Sequence, residues 1–341
     1  MKDPNKNIFK RIKWFFYDVK VAVFKNNGNA RKKTGVLNAK VKEKAFLFFF
    51  LLFPVVQFLI FYVALNFNSF LLAFNKFDMS GKKTFTGLEN FKEVLCLIFV
   101  KDFKGEFLQH FEMVRMIKNS AIQTAFSLFL MLPVNVISAY VVFKKVPFSD
   151  AIKVLLFLPN LIPSMVFVIS AKALIMKGLP IIFEGADLLN TAKTSSFWTI
   201  LVFGLWMSFA GGMVVYLSAM SGVPKEILEY GQLEPMSSYT ELVKVIVPLI
   251  YPTIVTYVVV GVANFFIAQG YYFSFFGGSI FAKLYDNLGY YFFVQVAAND
   301  EFIGKTRFGF AAAGGILFTI VVAPVTFMVK HLMEKYGPSE D

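Results

Sequence analysis

One cysteine, two histidines and long apolar runs without a single acidic residue set the first limits on this sequence of 341 residues. Cys96 alone cannot close an internal disulfide. With only His110 and His331 beside it, a metal site built from thiolates and imidazoles is not expected, and both histidines read as surface residues. A proton- or ion-coupled carrier normally buries acids within its spans, and the absence of acids from the apolar runs argues against that class. No cluster of nucleophile, acid, base or metal ligands stands at membrane depth, which argues against a membrane-embedded enzyme.

What is abundant is apolar surface. Hydrophobic residues make up 57% of the chain and the mean hydropathy is +0.62, beyond what a water-soluble surface tolerates, so lipid is the solvent. The net charge of +12 comes from basic residues clustered beside the apolar runs, where anionic lipid headgroups, not nucleic acid, are the expected partner. Residues 1–44 are densely basic, with no cleavable signal peptide expected, and this segment is assigned to the cytoplasm. Within it Ile8, Phe9, Ile12, Phe15, Phe16, Val19 and Val23 recur at helical spacing, which suits either an interfacial helix or a solvated tail.

A spanning helix needs about 20 mostly apolar residues, because no backbone amide or carbonyl stays unpaired in hydrocarbon. Six segments qualify, at about 45–73, 119–143, 154–176, 197–220, 245–275 and 308–329. The expectation is an all-α integral membrane protein with six transmembrane helices over 45–330, a cytoplasmic tail over 331–341, and both termini inside. The run Leu288 to Ala298 is too short to span. Its Tyr290, Tyr291, Phe292 and Phe293 predict an element at the outer membrane surface.

Between the fourth and fifth spans, residues 221–247 form a polar stretch assigned to the cytoplasm. Pro224 suits a first helical position, Glu226 and Glu229 favour the positive end of that helix, and Pro235 interrupts it. Ser238 and Glu241 have capping-box spacing for a second helix that runs on to Pro248. Such a helix-bend-helix either lies on the membrane as an amphipathic connector or docks into a cleft of a soluble partner.

The residues Val223-Pro224-Lys225-Glu226, Glu229-Tyr230-Gly231, Leu233-Glu234-Pro235, Ser237 and Val245-Ile246-Val247-Pro248 resemble the EAA loop of ABC importer permeases. Glu229 falls on the motif glutamate, Gly231 on its second alanine, Glu234 on its aspartate and Pro248 on its closing proline. Tyr230 replaces the first alanine, and Pro235 stands where the family has glycine, so the bend differs in detail. Outlying marks agree with that family's sugar branch: Thr86-Gly87-Leu88-Glu89-Asn90-Phe91, Lys118-Asn119-Ser120, Phe157-Leu158-Pro159 with Ile162-Pro163, Gly277-Gly278, and Gly309-Phe310-Ala311-Ala312-Ala313.

The resemblance covers about 46–330 and implies an ABC importer type I permease-like fold. It is nearest to the first permease of the heterodimeric pair in maltose-type and multiple-sugar systems. It further implies a second homologous permease, two ATP-binding subunits that hold ATP and Mg, an extracellular substrate-binding protein, and ATPase contacts through Glu226, Glu229, Gly231, Glu234, Pro235, Ser237 and Pro248. Gly304-Lys305-Thr306 has the end of a phosphate-binding loop without its leading glycine, because Asn299 stands there, so no ATP site is expected on this chain. The chain is therefore expected to be a transport subunit and not an enzyme.

Transporters often hold substrate near the bilayer midplane. In the fifth apolar run Asn264 and Gln269, near Phe265, Phe266, Tyr271 and Tyr272, either meet a sugar in that pathway or bond between helices. Lys172 either snorkels to the interface or faces the cavity, where it would suit a phosphorylated molecule such as a glycerol phosphate. A carbohydrate, in particular an oligosaccharide, is the leading substrate. The alternatives are that phosphorylated cargo or a carrier or channel without an ATPase.

Overall fold

A computed structural model describes residues 34–78, 82–105, 108–183, 187–191, 193–224, 226–227, 236–278, 283–297 and 307–338. The chain divides into two compact units, Met1–Ser69 and Phe70–Asp341. In the first, α1 (Thr34–Gln57) runs through π-helical turns over Phe58–Ala64 into α2 (Leu65–Leu72), which crosses the boundary. Phenylalanine, leucine and valine occur all round this rod, as lipid on every side requires.

The second unit begins with a hairpin of β1 (Asn75–Phe77) and β2 (Lys83–Phe85), paired Asn75 to Phe85, and continues into α3 (Glu89–Phe99). A 34-residue apolar helix follows, made of α4 (His110–Phe126), π turns over Ser127–Met131, and α5 (Leu132–Phe143). Then come α6 (Ser149–Leu161), α7 (Ser164–Ala173), π turns over Leu174–Gly178, α8 (Leu179–Ile182) and the long α9 (Ser195–Ser221).

After the loop, α10 (Ser238–Glu241), π turns over Leu242–Ile246 and α11 (Val247–Leu249) form an arm, and α12 (Tyr251–Ala263) continues through a 3-10 turn at Asn264–Phe266. The short α13 (Tyr272–Phe276) and α14 (Leu288–Ala297) precede α15 (Phe308–Tyr336). The described residues contain five helices long and apolar enough to span a membrane, or six when the bent pair on either side of Ile250 is counted as one. The protein is thus an all-α, multi-pass membrane protein with one small hairpin.

Three π stretches share one cause. Each ends two residues before a proline: Met131 before Pro133, Gly178 before Pro180, and Ile246 before Pro248. A proline ring clashes with the carbonyl four residues back and offers that carbonyl no amide. A wider turn moves the carbonyl aside and lets the next amides bond five residues back, as Leu132 does to Ser127, Leu179 to Leu174 and Val247 to Leu242. Hydroxyls within the spans follow the same economy. Ser138 donates to Val134, Ser208 to Leu205, Thr256 to Pro252, Thr319 to Gly315 and Thr326 to Val322, each to a carbonyl of its own helix.

Two boundaries depart from the sequence reading. The run predicted as one span over 154–176 is broken at Ile162 and Pro163, and its apolar helix is Ser164–Ile182. The run predicted over 245–275 bends by 75° at Ile250 and ends at Phe266. Pro248 and Pro252 stand on either side of that bend and leave two amides out of the ladder.

The element predicted at the outer membrane surface is a helix, α14. Helix α14 is packed inside the unit, with Leu288, Gly289, Tyr290, Tyr291, Val294 and Gln295 buried. Its tyrosines have interior partners: Tyr290 donates from its hydroxyl to the Gly277 carbonyl at 2.7 Å, and Tyr291 lies against Arg307.

Two stretches that carried the resemblance touch one another. Asn90, buried, donates to the carbonyls of Ala73 and Asn75, each at 2.9 Å, tying the segment after the first span to α3. Gly309, at the start of α15, lies against this knot, where a Cβ would collide with the Asn75 carbonyl and the Asn90 amide. Beside it Arg307, 2% exposed, reaches Glu93 at 3.6 Å and stacks 4.2 Å above the Phe310 ring.

Gly309→Val is therefore expected to destabilise the protein by about 1–3 kcal/mol, the usual cost of overpacking. Size-exclusion and thermal-melt profiles in detergent check this, while Gly315→Ala, whose Cβ would meet nothing within 4 Å, should leave both unchanged.

Candidate functional site

Two regions of the second unit combine polar groups with apolar walls. One is a cavity of about 300 Å³ between α4, α9 and α12, near the middle of the His110–Phe143 span. Asn264, Tyr271 and Tyr272 line it, as the sequence suggested, and Gln123, Thr124, Ser127 and Ser208 share the wall. Phe265 packs instead with the apolar cluster around Leu97, Met113 and Phe318. Gln269 also stands outside the wall, and its buried Oε1 has no hydrogen-bond partner among the described residues. The four polar residues that the sequence reading passed over sit in runs judged by their lack of charge. The signal available was an amide and hydroxyls spaced at 123, 124 and 127 in an otherwise apolar helix.

One face of α4 holds this cavity in place. Arg115 donates to the Lys283 carbonyl at 3.2 Å, and Asn119 donates to the carbonyls of Leu284 and Asp286 at 3.1 and 2.7 Å. Ser120 accepts from the Leu288 amide at 2.9 Å, and Gln123 accepts from the Asn287 side chain. Positions 115, 119 and 123 are one helical turn apart, so α4 presents a polar stripe to residues 283–288. Asn287 also caps α14, accepting from the Tyr290 amide at 2.7 Å. Asn119 and Ser120, first noticed as marks of resemblance, thus have a physical task.

Asp286 lies at the centre of this contact, 1% exposed. Burial pushes its carboxyl from 3.8 up to about 7, against the pull of the Lys283 amide and of the Arg115 and Lys283 charges, with Glu112 adding to the rise. Lys172 meets the same neighbourhood from α7, donating to the Phe275 carbonyl at the end of α13. It is not among the residues that line the cavity. A larger hollow of about 750 Å³ opens beside α7 and α9, but Phe167, Trp198, Phe203 and Trp206 dominate it. Of its two hydroxyl residues, Ser170 and Thr199, the latter is bonded to the Leu188 and Ser195 carbonyls. That surface suits hydrocarbon, not a sugar.

The second region is the arm. Ser237 caps α10, accepting from the Thr240 amide at 3.2 Å and bonding the Thr240 hydroxyl at 2.8 Å. The cap is one residue earlier than the predicted Ser238, because Glu241 is engaged elsewhere: its carboxylate pairs with Lys144 at 2.9 Å, just beyond α5, beside the buried Tyr140. Ile246 and Ile250 pack with Val136, Ala139, Met213, Tyr216 and Met220, so the arm is fastened to α5 and α9 by an apolar cluster as well as a charge pair. Pro248 lies in α11 next to the bend. Glu226 is exposed in a helical turn after Pro224, where the Ile227 amide bonds the Pro224 carbonyl at 3.2 Å. Glu229, Gly231, Glu234 and Pro235 lie outside the described residues, as do Gly304, Lys305 and Thr306.

No protein-family profile and no curated protein matches the sequence. Solved structures do resemble the fold. A chain of a bacterial ABC transporter involved in the import of the acidic polysaccharide alginate aligns with a TM-score of 0.66 at 17% identity, covering 88% of this chain and 99% of that one. A chain of a bacterial alginate ABC transporter in complex with an alginate pentasaccharide-bound periplasmic protein aligns with a TM-score of 0.65 at 17% identity, covering 87% and 96%.

The raised Asp286 carboxyl has a signed consequence. Folding favours its protonated form, so the penalty for ionising it is absent below about pH 4 and grows as pH rises toward about 7. The stability that Asp286→Asn gains relative to the parent should grow from about pH 4 to about pH 7 and stay level above it. A difference in melting temperature that does not change with pH would assign the titration elsewhere.

Proposed function

We propose that this chain is the membrane-spanning permease subunit of an ABC importer for a carbohydrate, working with a second homologous permease, two ATPase subunits and an extracellular binding protein. The observation that supports this most is the arm over Ser238–Leu249. It follows a loop with EAA-like residues, bends by 75° into a span, and is fastened to α5 and α9. A surface element attached in this way to two spans delivers a push on the loop to the helices that wall the cavity. The fold likeness over most of the chain agrees with this reading.

In this reading the termini and the arm face the cytoplasm. ATP and Mg are held by the partner ATPases, and Glu226, Glu229 and Glu234 offer carboxylates to basic groups in the ATPase cleft, with Gly231, Pro235, Ser237 and Pro248 shaping the approach. Closure of the ATPases moves the arm. The arm moves α5, α9 and α12, and the cavity opens alternately to each side. Lys172, which suited a phosphorylated cargo if it faced the cavity, is not among the residues that line it.

Reversing the charge of both Glu229 and Glu234 to lysine should abolish co-purification of the ATPase and substrate-stimulated hydrolysis. Unchanged assembly and hydrolysis would overturn the assignment of the loop. Glu241→Lys should leave the ATPase bound but weaken, by about tenfold or less, the stimulation of hydrolysis by substrate, because the Lys144 tie is lost while the docking residues remain.

A further inference from the structure

We infer that the cavity near the middle of the bundle admits an uncharged glycan segment and rejects a uronate. This rests on the importer reading and narrows its substrate. The wall supplies amides from Gln123 and Asn264, hydroxyls from Thr124, Ser127 and Ser208, and the ring of Tyr271. These are the groups that bond sugar hydroxyls and stack on pyranose faces. Among the described residues no lysine, arginine or histidine lines it.

The basic residues of α4 and α7 stand outside this wall: Arg115, two turns from Gln123, bonds the Lys283 carbonyl, and Lys172 bonds the Phe275 carbonyl. A carboxylate entering this space would leave water without meeting a counter-charge in the wall. A neutral sugar meets no such cost.

The Tyr272 side chain is fully buried against Phe197, Tyr285 and Tyr290, so it closes this wall without offering its hydroxyl to the cavity. The volume of about 300 Å³ lies at the lower end of small-ligand sites, so the cavity seats a short stretch of a glycan at a time. The alginate transporters similar in fold carry an acidic polysaccharide, and this chain is therefore separated from them by the charge of its cargo.

The test uses the assembled transporter with Cys96→Ala, which removes the chain's own thiol, and Ser208→Cys as a reporter in the wall, with Thr124→Cys as a second reporter. Alkylation of the reporter is timed with neutral glucose, mannose or xylose oligosaccharides, or with uronate oligosaccharides of equal length. Neutral glycans should slow the reaction, and uronates should need at least about tenfold higher concentration for equal protection. Equal or better protection by uronates, or protection by neither set at both reporters, overturns the inference. ATPase subunits are scored in the same preparation. Their absence would count against the importer reading, whereas protection by uronates with the ATPases present counts against the neutral cargo alone.

Discussion

Polar groups carried into hydrocarbon must find their partners inside the protein, and the arrangement of the second unit follows from that constraint. The stripe of Arg115, Asn119, Ser120 and Gln123 on α4 meets the backbone and side chains of residues 283–288, which in turn start α14. That contact draws an aromatic helix into the interior and sets Gln123 at the edge of the cavity. The π turns before Pro133, Pro180 and Pro248 answer the same constraint at the level of the backbone. Ser138, Ser208, Thr256, Thr319 and Thr326 bond to carbonyls of their own helices, whereas the buried Tyr272 hydroxyl and Gln269 carbonyl have no hydrogen-bond partner among the described residues.

Stiffness and mobility are distributed accordingly. The apolar cluster of Val136, Met213, Tyr216, Met220, Ile246 and Ile250 packs α5, α9 and the arm together. The Lys144–Glu241 pair is half-exposed and worth little by itself, since such pairs contribute about 0–1 kcal/mol. Its value lies in direction: it fixes which turn of the arm lies against which turn of α5. In the proposed importer, the bend at Ile250 turns a push along the arm into one along α12, beyond whose end Asn264 lines the cavity.

Much of this was legible in the sequence. Long apolar runs announced an all-α membrane protein, because length and hydropathy report on burial in lipid. Thr86–Phe91 and Gly309–Ala313 were visible as separate motifs, and the structure explains them as the two sides of one knot at Asn90 and Gly309. The bend at Ile250 was not legible, because a run of apolar residues looks the same whether the helix is straight or turned by flanking prolines. The burial of the α14 tyrosines was not legible for a related reason. Tyrosines suit a membrane interface and a buried network equally, and only the partners, here the Gly277 carbonyl and Arg307, distinguish them. Gln123 and Ser208 were hidden by attention to charge, since neutral polar groups report on a pathway only once they are seen to converge.

The account stands or falls on which side of the membrane the arm occupies and what touches it there. Tyr239, 74% exposed on α10, replaced by cysteine in a Cys96→Ala background, gives the most direct measurement: labelling by a membrane-impermeant thiol reagent from each side, followed by cross-linking with the co-expressed ATPase subunit. The account predicts labelling from the cytoplasmic side alone and a cross-link to the ATPase. Labelling from outside, or a cytoplasmic thiol that never reaches the ATPase, would contradict it.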